Sequence, residues 1–471
     1  MARSISARPK WDNGRMSFFG SALIGFLLAV AILVTVHEFG HYLAARWLGV
    51  RVLRFSVGFG PVLLRWKGKR SIFKGDEFAV SAIPLGGYVR MLDTRDTDVG
   101  VLTPEAEREA FDRQVLWKRS VIVAAGPFAN FLLAVLLYAA AIAWPERALA
   151  PVVAAPRADT AASAAGLRGG ELITQIAGRD IYNWDDVRWQ LLSHMFDDQL
   201  TLVVRDQGRE RELVLARAPR AAGEDPTGRR VLGWGVGIFQ PAVIGSVVAD
   251  GPGARAGLQA GDRILSVDDR KVGEWFELTQ LIQAAANREV RLVVERSGAT
   301  RMINVTPRAV KSGNREIGRL EVTPPNLFDE GSNALATDRR GFASAFVEGA
   351  ARSWEATALT VRVLWGMVSG EVSLRQVSGP LSMAEGAGVT LKQGVTAFLF
   401  FLAIVSISIG VLNLLPIPML DGGQLLYHLF EAIKGSPPSE RALIIGQRIG
   451  IGFVTSLTAL ALYNDFHRIF S

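Results

Sequence analysis

Apolar residues gather into four long runs along the chain, at about 18–40, 121–143, 395–415 and 443–463, and the stretches between them are charged or mixed. Each run approaches the ~20 residues that a helix needs to cross the ~30 Å hydrocarbon core of a bilayer. The pattern predicts two pairs of membrane helices flanking a large polar insert. Between the first two runs the periodicity changes. Arg51-Val52-Leu53-Arg54-Phe55-Ser56-Val57 partly alternates, Gly58-Phe59-Gly60-Pro61 reads as a turn, and Val62-Leu63-Leu64-Arg65-Trp66 resumes, which predicts a hairpin or small sheet. Residues 94–113 read as a solvated loop with a short helix. Beyond the insert, Phe342, Phe346, Ala350 and Trp354 recur at i,i+4 with Glu348, Arg352 and Glu355 between them. This predicts an amphipathic helix over 342–370, lying on the membrane surface, clamping the insert to the core, or packed against the second repeat.

The insert repeats itself at an offset of 91 residues. Ala165-Gly166-Leu167-Arg168-Gly169-Gly170-Glu171-Leu172-Ile173 matches Ala256-Gly257-Leu258-Gln259-Ala260-Gly261-Asp262-Arg263-Ile264, and Trp184 matches Trp275 in register. Two copies of one module are the simplest explanation. In each, a short helix ends at a Gly-Leu turn, an acidic corner follows, a strand such as Ile264–Val267 begins, and a second helix starts near the Trp. Strands at 200–204, 212–216, 290–294 and 302–306 would close the two sheets. The module resembles the circularly permuted PDZ domain. That resemblance implies a backbone-lined groove for an extended chain or a carboxyl terminus, with Gly233–Ile238 as the carboxylate loop of the second copy; two inert spacers are the alternative.

At 471 residues the chain is too long for one ordinary core, and 49% hydrophobic residues with a mean hydropathy of +0.23 fit a membrane protein. The formal charge of +7 does not mark a nucleic-acid binder, because the basic residues are dispersed. Much of their local excess, at Arg46, Arg51, Arg54, Arg65, Lys67, Lys69, Arg70, Lys74, Arg113, Lys118 and Arg119, flanks membrane segments. The positive-inside rule puts the 44–119 loop in the cytoplasm and the insert outside; the basic tail before residue 18 argues weakly the other way. A signal peptide is disfavoured for the first run, since no small-x-small cleavage site follows it. There is no cysteine, so disulfides and thiolate metal ligands are excluded.

The chemistry sits at the end of the first run, in His37-Glu38-Phe39-Gly40-His41. On a helix the two histidines lie one turn apart on one face and can reach one metal, while Glu38 is placed to take a proton from water. The chain has five histidines, and two of them with a carboxylate inside a membrane helix are expensive without a task. Catalytic zinc takes three protein ligands and an open position. Residues 49–60 offer no third donor. The outstanding candidate is Asp421, in Asn413-Leu414-Leu415-Pro416-Ile417-Pro418-Met419-Leu420-Asp421-Gly422-Gly423, where two prolines break the third run. His428 is expected to be a surface or supporting residue, and His194 and His467 solvated ones.

HExxH in the first membrane segment with N-x-x-P-x-P-x-L-D-G after the third resembles the site-2 protease family of intramembrane zinc metalloproteases, over essentially the whole chain. Gly58-Phe59-Gly60 is similar to that family's hairpin tip, and Ala125-Gly126-Pro127-Phe128-Ala129-Asn130 to its second-helix motif. The resemblance implies zinc on His37, His41 and Asp421, Glu38 as the base, and Asn413, Gly58 and Gly60 in contact with an unwound substrate; Asn130 would steady the core. It implies a polytopic α-helical protein of the bacterial inner membrane, with four transmembrane helices, a membrane-associated β-hairpin, two inserted PDZ domains on the periplasmic side and an active site towards the cytoplasm. The implied substrates are single-pass membrane proteins already trimmed outside the membrane, such as an anti-sigma factor, and signal-peptide remnants. The expected division is a basic extension 1–17, a first membrane pair 18–143, PDZ domains 144–225 and 226–312, a linker and amphipathic region 313–394, and a second membrane pair 395–471. The rival readings are a non-proteolytic membrane-anchored PDZ adaptor or quality-control scaffold, and a transporter. Neither needs the separated His37, His41 and Asp421.

Overall fold

The computed structural model describes residues 13–68, 75–95, 102–144, 147–217, 234–312, 315–326, 335–337 and 341–470. The basic extension up to residue 12 lies outside these, as do Lys69, Arg70 and Lys74 of the basic loop and Gly233 of the expected carboxylate loop. The chain divides into a unit of residues 1–144 with 339–471 and a unit of residues 145–338.

Among the described residues of the first unit four helices are long and apolar enough to cross a membrane: Gly20–Trp47, Leu116–Ala143, Val395–Asn413 and Glu440–Arg468. The HExxH residues lie within the first span, not at its end, because the helix runs on to Trp47. Small residues bring the spans together. A Cβ at Gly40 would lie 2.7 Å from that of Ala129, and one at Gly25 2.9 Å from the Ala387 carbonyl oxygen, so bulk at either position would force the helices apart. The amphipathic helix forms as Phe342–Val368, but its expected apolar stripe faces outward, with Trp354 74% exposed. Its inner face is Ala345, Gly349, Ser353 and Ala356, and a Cβ at Gly349 would meet Val135 and Ala139 of the second span at 2.9 Å. Close approach of small side chains, not burial of aromatics, decides which way this helix turns. A further helix, Pro380–Gln393, packs beside the first span; its first turn donates to buried Asp465 of the fourth span, from the N–H groups of Gly379 at 3.1 Å, Leu381 at 3.0 Å and Ser382 at 3.2 Å. Those are donors that a helix start leaves unsatisfied.

The hairpin is longer than expected, with strands β1 (Val52–Lys67) and β2 (Glu77–Met91). Gly58-Phe59-Gly60-Pro61 is not its turn. It is a bend within β1, where Gly58 and Gly60 take φ of +90° and +80°, a region that costs residues with a Cβ about 1–2 kcal/mol. The bend folds the ribbon on itself. Ser56 pairs with Tyr88 and also with Ala79, and Val57 with Gly87 and Val80, while the outer half runs from Val62↔Ser81 to Lys67↔Glu77. The base is tied to the first span by Asp76, which accepts from the Tyr42 hydroxyl at 2.7 Å and pairs with Arg46 at 3.2 Å. Burial raises the Asp76 carboxyl, against the opposing pull of Tyr42 and Arg46.

The second unit holds the two repeats. Each has a four-stranded sheet: Arg179–Asp180, Leu172–Ile176, Gln199–Asp206 and Arg209–Ala216 in the first, Arg270–Lys271, Arg263–Val267, Val290–Arg296 and Ala299–Val305 in the second. Each second helix begins on the matching Trp, as Trp184–Ser193 and Trp275–Gln283. The acidic corners are equivalent. Glu171 accepts from Arg168 N–H at 2.8 Å and pairs with Arg211; Asp262 accepts from Gln259 N–H at 2.8 Å and from Arg296 at 2.6 and 2.7 Å. The boundary between the copies needs correcting. Trp234, expected in the second copy, is fully buried in the core of the first, where its carbonyl accepts from Ala162 N–H at 2.9 Å. Its counterpart is Leu320, beyond the expected end at 312, which closes the second core and accepts from Gly253 N–H at 2.9 Å. Each copy takes its closing segment from after its sheet, so Trp234–Ile238 serves the first copy and Leu320–Thr323 the second. The repeated motif hides this because the closing segments do not share its sequence.

Candidate metal centre

His37 and His41 present their Nε2 atoms 3.3 Å apart from neighbouring turns of the first span. Each ring is held from behind by the second span. His41 Nδ1 lies 2.8 Å from the Ile122 carbonyl, which can only accept, so Nδ1 carries the proton and Nε2 keeps its lone pair. His37 Nδ1 lies 3.2 Å from the buried Asn130 side-chain amide, whose backbone carbonyl in turn accepts from Ser406 at 2.8 Å. Turning that amide over lets Nδ1–H donate to Oδ1, which is otherwise buried without a partner. The same tautomer results for both rings. Gly126 lies under His41, where a Cβ would overlap the imidazole.

Asp421 arrives from the other end of the chain. After the third span ends at Asn413, the chain passes through Pro416 and Pro418 without helix and restarts as Asp421–Lys434. The two glycines after Asp421 let the new helix press on that loop, since a Cβ at either would run into carbonyl oxygens of Leu414, Leu415 or Ile417. Asp421 Oδ2 thereby sits 3.2 Å from His37 Nε2 and 3.5 Å from His41 Nε2. It is buried and accepts no hydrogen bond.

These atoms bound a cavity of about 670 Å³, lined also by Glu38, Phe59, Tyr88, Val89, Asn413 and Gln424. Glu38 faces β2, with the Val89 backbone hydrogen-bonded to its carboxylate and a Cβ at Gly87 only 3.3 Å from its Cγ. The structure thus brings His37, Glu38, His41, Asp421 and Asn413 to one place. Gly58 and Gly60 are not in the cavity wall. Phe59 between them is, and the strand beside the base is β2 from Gly86 to Met91, because the bend in β1 turns Phe59 inward and stacks it on Tyr88 at 6.4 Å.

The donor set suits zinc. Two imidazoles and a carboxylate form a common catalytic set, and bonds of about 2.0–2.1 Å to a tetrahedral ion put donors about 3.3–3.4 Å apart. The distances here are 3.2, 3.3 and 3.5 Å. Residues 25–457 match the sequence family described as peptidase family M50. The chain belongs to peptidase family M50. It is 36% identical over 452 residues to the regulator of sigma-E protease RseP of Escherichia coli strain K12, covering 95% of this chain and 98% of that one. It is 37% identical over 451 residues to a Vibrio cholerae protein named as a zinc metalloprotease (95% and 98% covered), and 35% identical over 457 residues to protease RseP of Yersinia pestis (95% and 99%). The chain is a site-2-type intramembrane metalloprotease with zinc as its metal.

Several supporting residues carry no chemical signal of their own in the sequence, although Gly126 lies within the second-helix motif. Ile122 acts through a carbonyl that every residue has, and Gly126 through lack of a side chain. Arg119 and Glu431, 312 positions apart, form a bidentate pair at 3.2 and 2.6 Å. His428 is not near the donor set: its Nδ1 meets Ser120 Oγ at 3.1 Å. Burial and then the charge of Arg119 hold its imidazole below the usual range, with Glu431 opposing, and the Ser120 hydroxyl it meets donates to the Leu116 carbonyl at 3.0 Å. His194 contacts the Gln190 carbonyl at 2.9 Å at a helix end, and His467 packs near Tyr463.

Proposed function

We propose that this protease cleaves single-pass membrane substrates of the anti-sigma-factor type after their outer domains have been trimmed, and that it also clears signal-peptide remnants. The observation that carries the reading is the convergence of His37, His41, Asp421 and Glu38 on one cavity bordered by a β-strand. In it, His37, His41 and Asp421 would hold the zinc, which when bound would supply Lewis acidity for the scissile carbonyl and the attacking water. Glu38 takes the proton from that water and delivers it to the leaving amine. A substrate helix hides its amides in internal hydrogen bonds and must open before attack. The strand Gly86–Met91 offers main-chain groups to the opened segment, and the Asn413 amide a further hydrogen bond, offsetting part of the cost of unwinding.

In this reading the protein lies in the bacterial inner membrane, with the catalytic side towards the cytoplasm and the two repeats, as PDZ-type modules, in the periplasm. There they exclude substrates whose outer domains are intact. The matching closing segments and acidic corners of the two copies support a single module type. The adaptor reading gives the three donors no task. The test is cleavage of full-length and pre-trimmed substrate by the purified enzyme, by Glu38→Gln, and by a chain lacking residues 160–310. Glu38→Gln is expected to bind zinc and cleave nothing. Persistent cleavage by it overturns the proposed base, and equal cleavage of both substrates by both catalytically intact chains overturns the exclusion role.

A further inference from the structure

The second span carries neither a metal donor nor the base, yet one of its faces touches the machinery of all three donors. Arg119, Ile122, Gly126 and Asn130 follow one another at steps of three and four residues, which places them in one stripe. Asn130, Gly126 and the Ile122 carbonyl serve the two histidines. The start of the stripe serves the helix that Asp421 begins. Arg119 grips Glu431 with both Nη atoms, Ser120 meets His428, and Arg119 Nε donates to the Gln114 carbonyl at 3.1 Å, which fixes the guanidinium plane.

We propose that the Arg119–Glu431 pair, backed by Ser120–His428, is a positioning device for the third metal ligand. The proposal rests on the reading that His37, His41 and Asp421 together hold the zinc. Asp421 follows a loop with two prolines, so no regular element upstream sets its direction. The packing of Gly422 and Gly423 on the loop sets how closely the helix approaches and Tyr427 lies against Gly446 of the fourth span, but towards the second span the glycine contact alone leaves the helix free to swing. His428 and Glu431 lie seven and ten residues on, about 10 and 15 Å along the axis at 1.5 Å per residue, and supply the distant second point. Pivoting on the glycine contact, a swing of about 1 Å at that far point is a tilt of about 4°, which moves a carboxylate about 4 Å from the pivot by about 0.3 Å. A metal site tolerates about 0.2 Å in its bond lengths, so a small loss of anchoring is felt at the donor set. Both side chains of the pair are 17% exposed, and removing one partner leaves a largely buried charge that must move or be hydrated.

An ordinary stabilising ion pair would look the same in a static view, so the test reads zinc affinity as well as activity. Arg119→Glu, Glu431→Arg and the double exchange are made in the full-length protein, with Asp421→Asn as reference. Zinc dissociation constants are measured by competition with a chromophoric chelator, and kcat and KM on one trimmed substrate. Each single reversal is expected to weaken zinc binding by about 10-fold or more and to lower kcat with little change in KM, and the exchange to restore most of the affinity. Single variants that bind zinc as the unaltered protein does overturn the proposal, and so does an exchange that stays as weak as the singles while melting normally. Where a reversal does not fold, Arg119→Lys, which keeps the charge and loses the planar fork, and Ser120→Ala replace it. Unaltered affinity in both is then the overturning result. If Asp421→Asn itself binds zinc normally, the underlying reading fails; if it loses zinc while the pair variants keep it, the positioning role alone fails.

Discussion

Two acidic side chains, buried Asp262 in the insert and half-buried Asp421 in the membrane unit, show how the halves of this molecule use one chemical group differently. Asp262 is fully buried, and both its oxygens are occupied, by the Arg296 fork at 2.6 and 2.7 Å and the Gln259 N–H at 2.8 Å. Burial pushes its carboxyl up, but Arg296 and that N–H outweigh burial and hold it below the usual range. Asp421 Oδ2 is also hidden from water, but what it faces, at 3.2 and 3.5 Å, are the Nε2 atoms of the two imidazoles. A buried carboxylate with its donors in place is a piece of structure. One left beside two lone pairs has its strongest partner in a cation.

Exchanging each acid for its amide should break the symmetry most sharply. Asp421→Asn is expected to lose more than about 100-fold in cleavage and most of its zinc, with hydrogen exchange of the insert unchanged. Asp262→Asn should do the reverse, keeping zinc and faster-exchanging only across residues 242–305. Second in size is Gly126→Ala, whose methyl would overlap the His41 ring; zinc affinity should fall about 10-fold, read by chelator competition. The third contrast is pH. Since the folded pKa of Asp262 is depressed, its contribution is present above the unfolded value of about 3.9 and is lost as pH falls through the folded value. The second repeat should therefore lose exchange protection in that acid range, and Asp262→Asn should flatten the dependence. The smallest effect is expected for Gly257→Ala. With φ of +85° and nothing near its added methyl, it should cost about 1 kcal/mol through backbone strain, seen as a small loss of exchange protection in the second repeat.

Legibility differed between the same two halves. In the insert, expected strands at 200–204, 212–216 and 290–294 lie inside observed ones, and that at 302–306 overruns its strand by one residue, because alternation and turn residues act over a few positions. The copy boundary failed where a long-range closure decided it: Trp234 joins the first core across the end of that copy's sheet. In the membrane unit the four spans were legible as apolar runs. The hairpin bend was not, since Gly58 and Gly60 read equally as a turn and as a kink, and only pairing with both halves of β2 chooses. The outward turn of Trp354 was likewise hidden, because hydrophobic periodicity marks an apolar face without saying whether lipid or protein covers it.

By itself the sequence determined the spans, the repeat, and the spacing that puts His37 and His41 on one helical face, because each depends on periodicity within a few turns of chain. It also singled out Asp421 through a break in an apolar run. Tertiary structure alone decided the distances of 3.2 to 3.5 Å between the three donors, the second span's hold on their rings, and the Arg119–Glu431 contact. Those depend on how closely helices more than eighty residues apart can approach, and that is set by the absence of side chains at glycines and by carbonyls that no residue type announces.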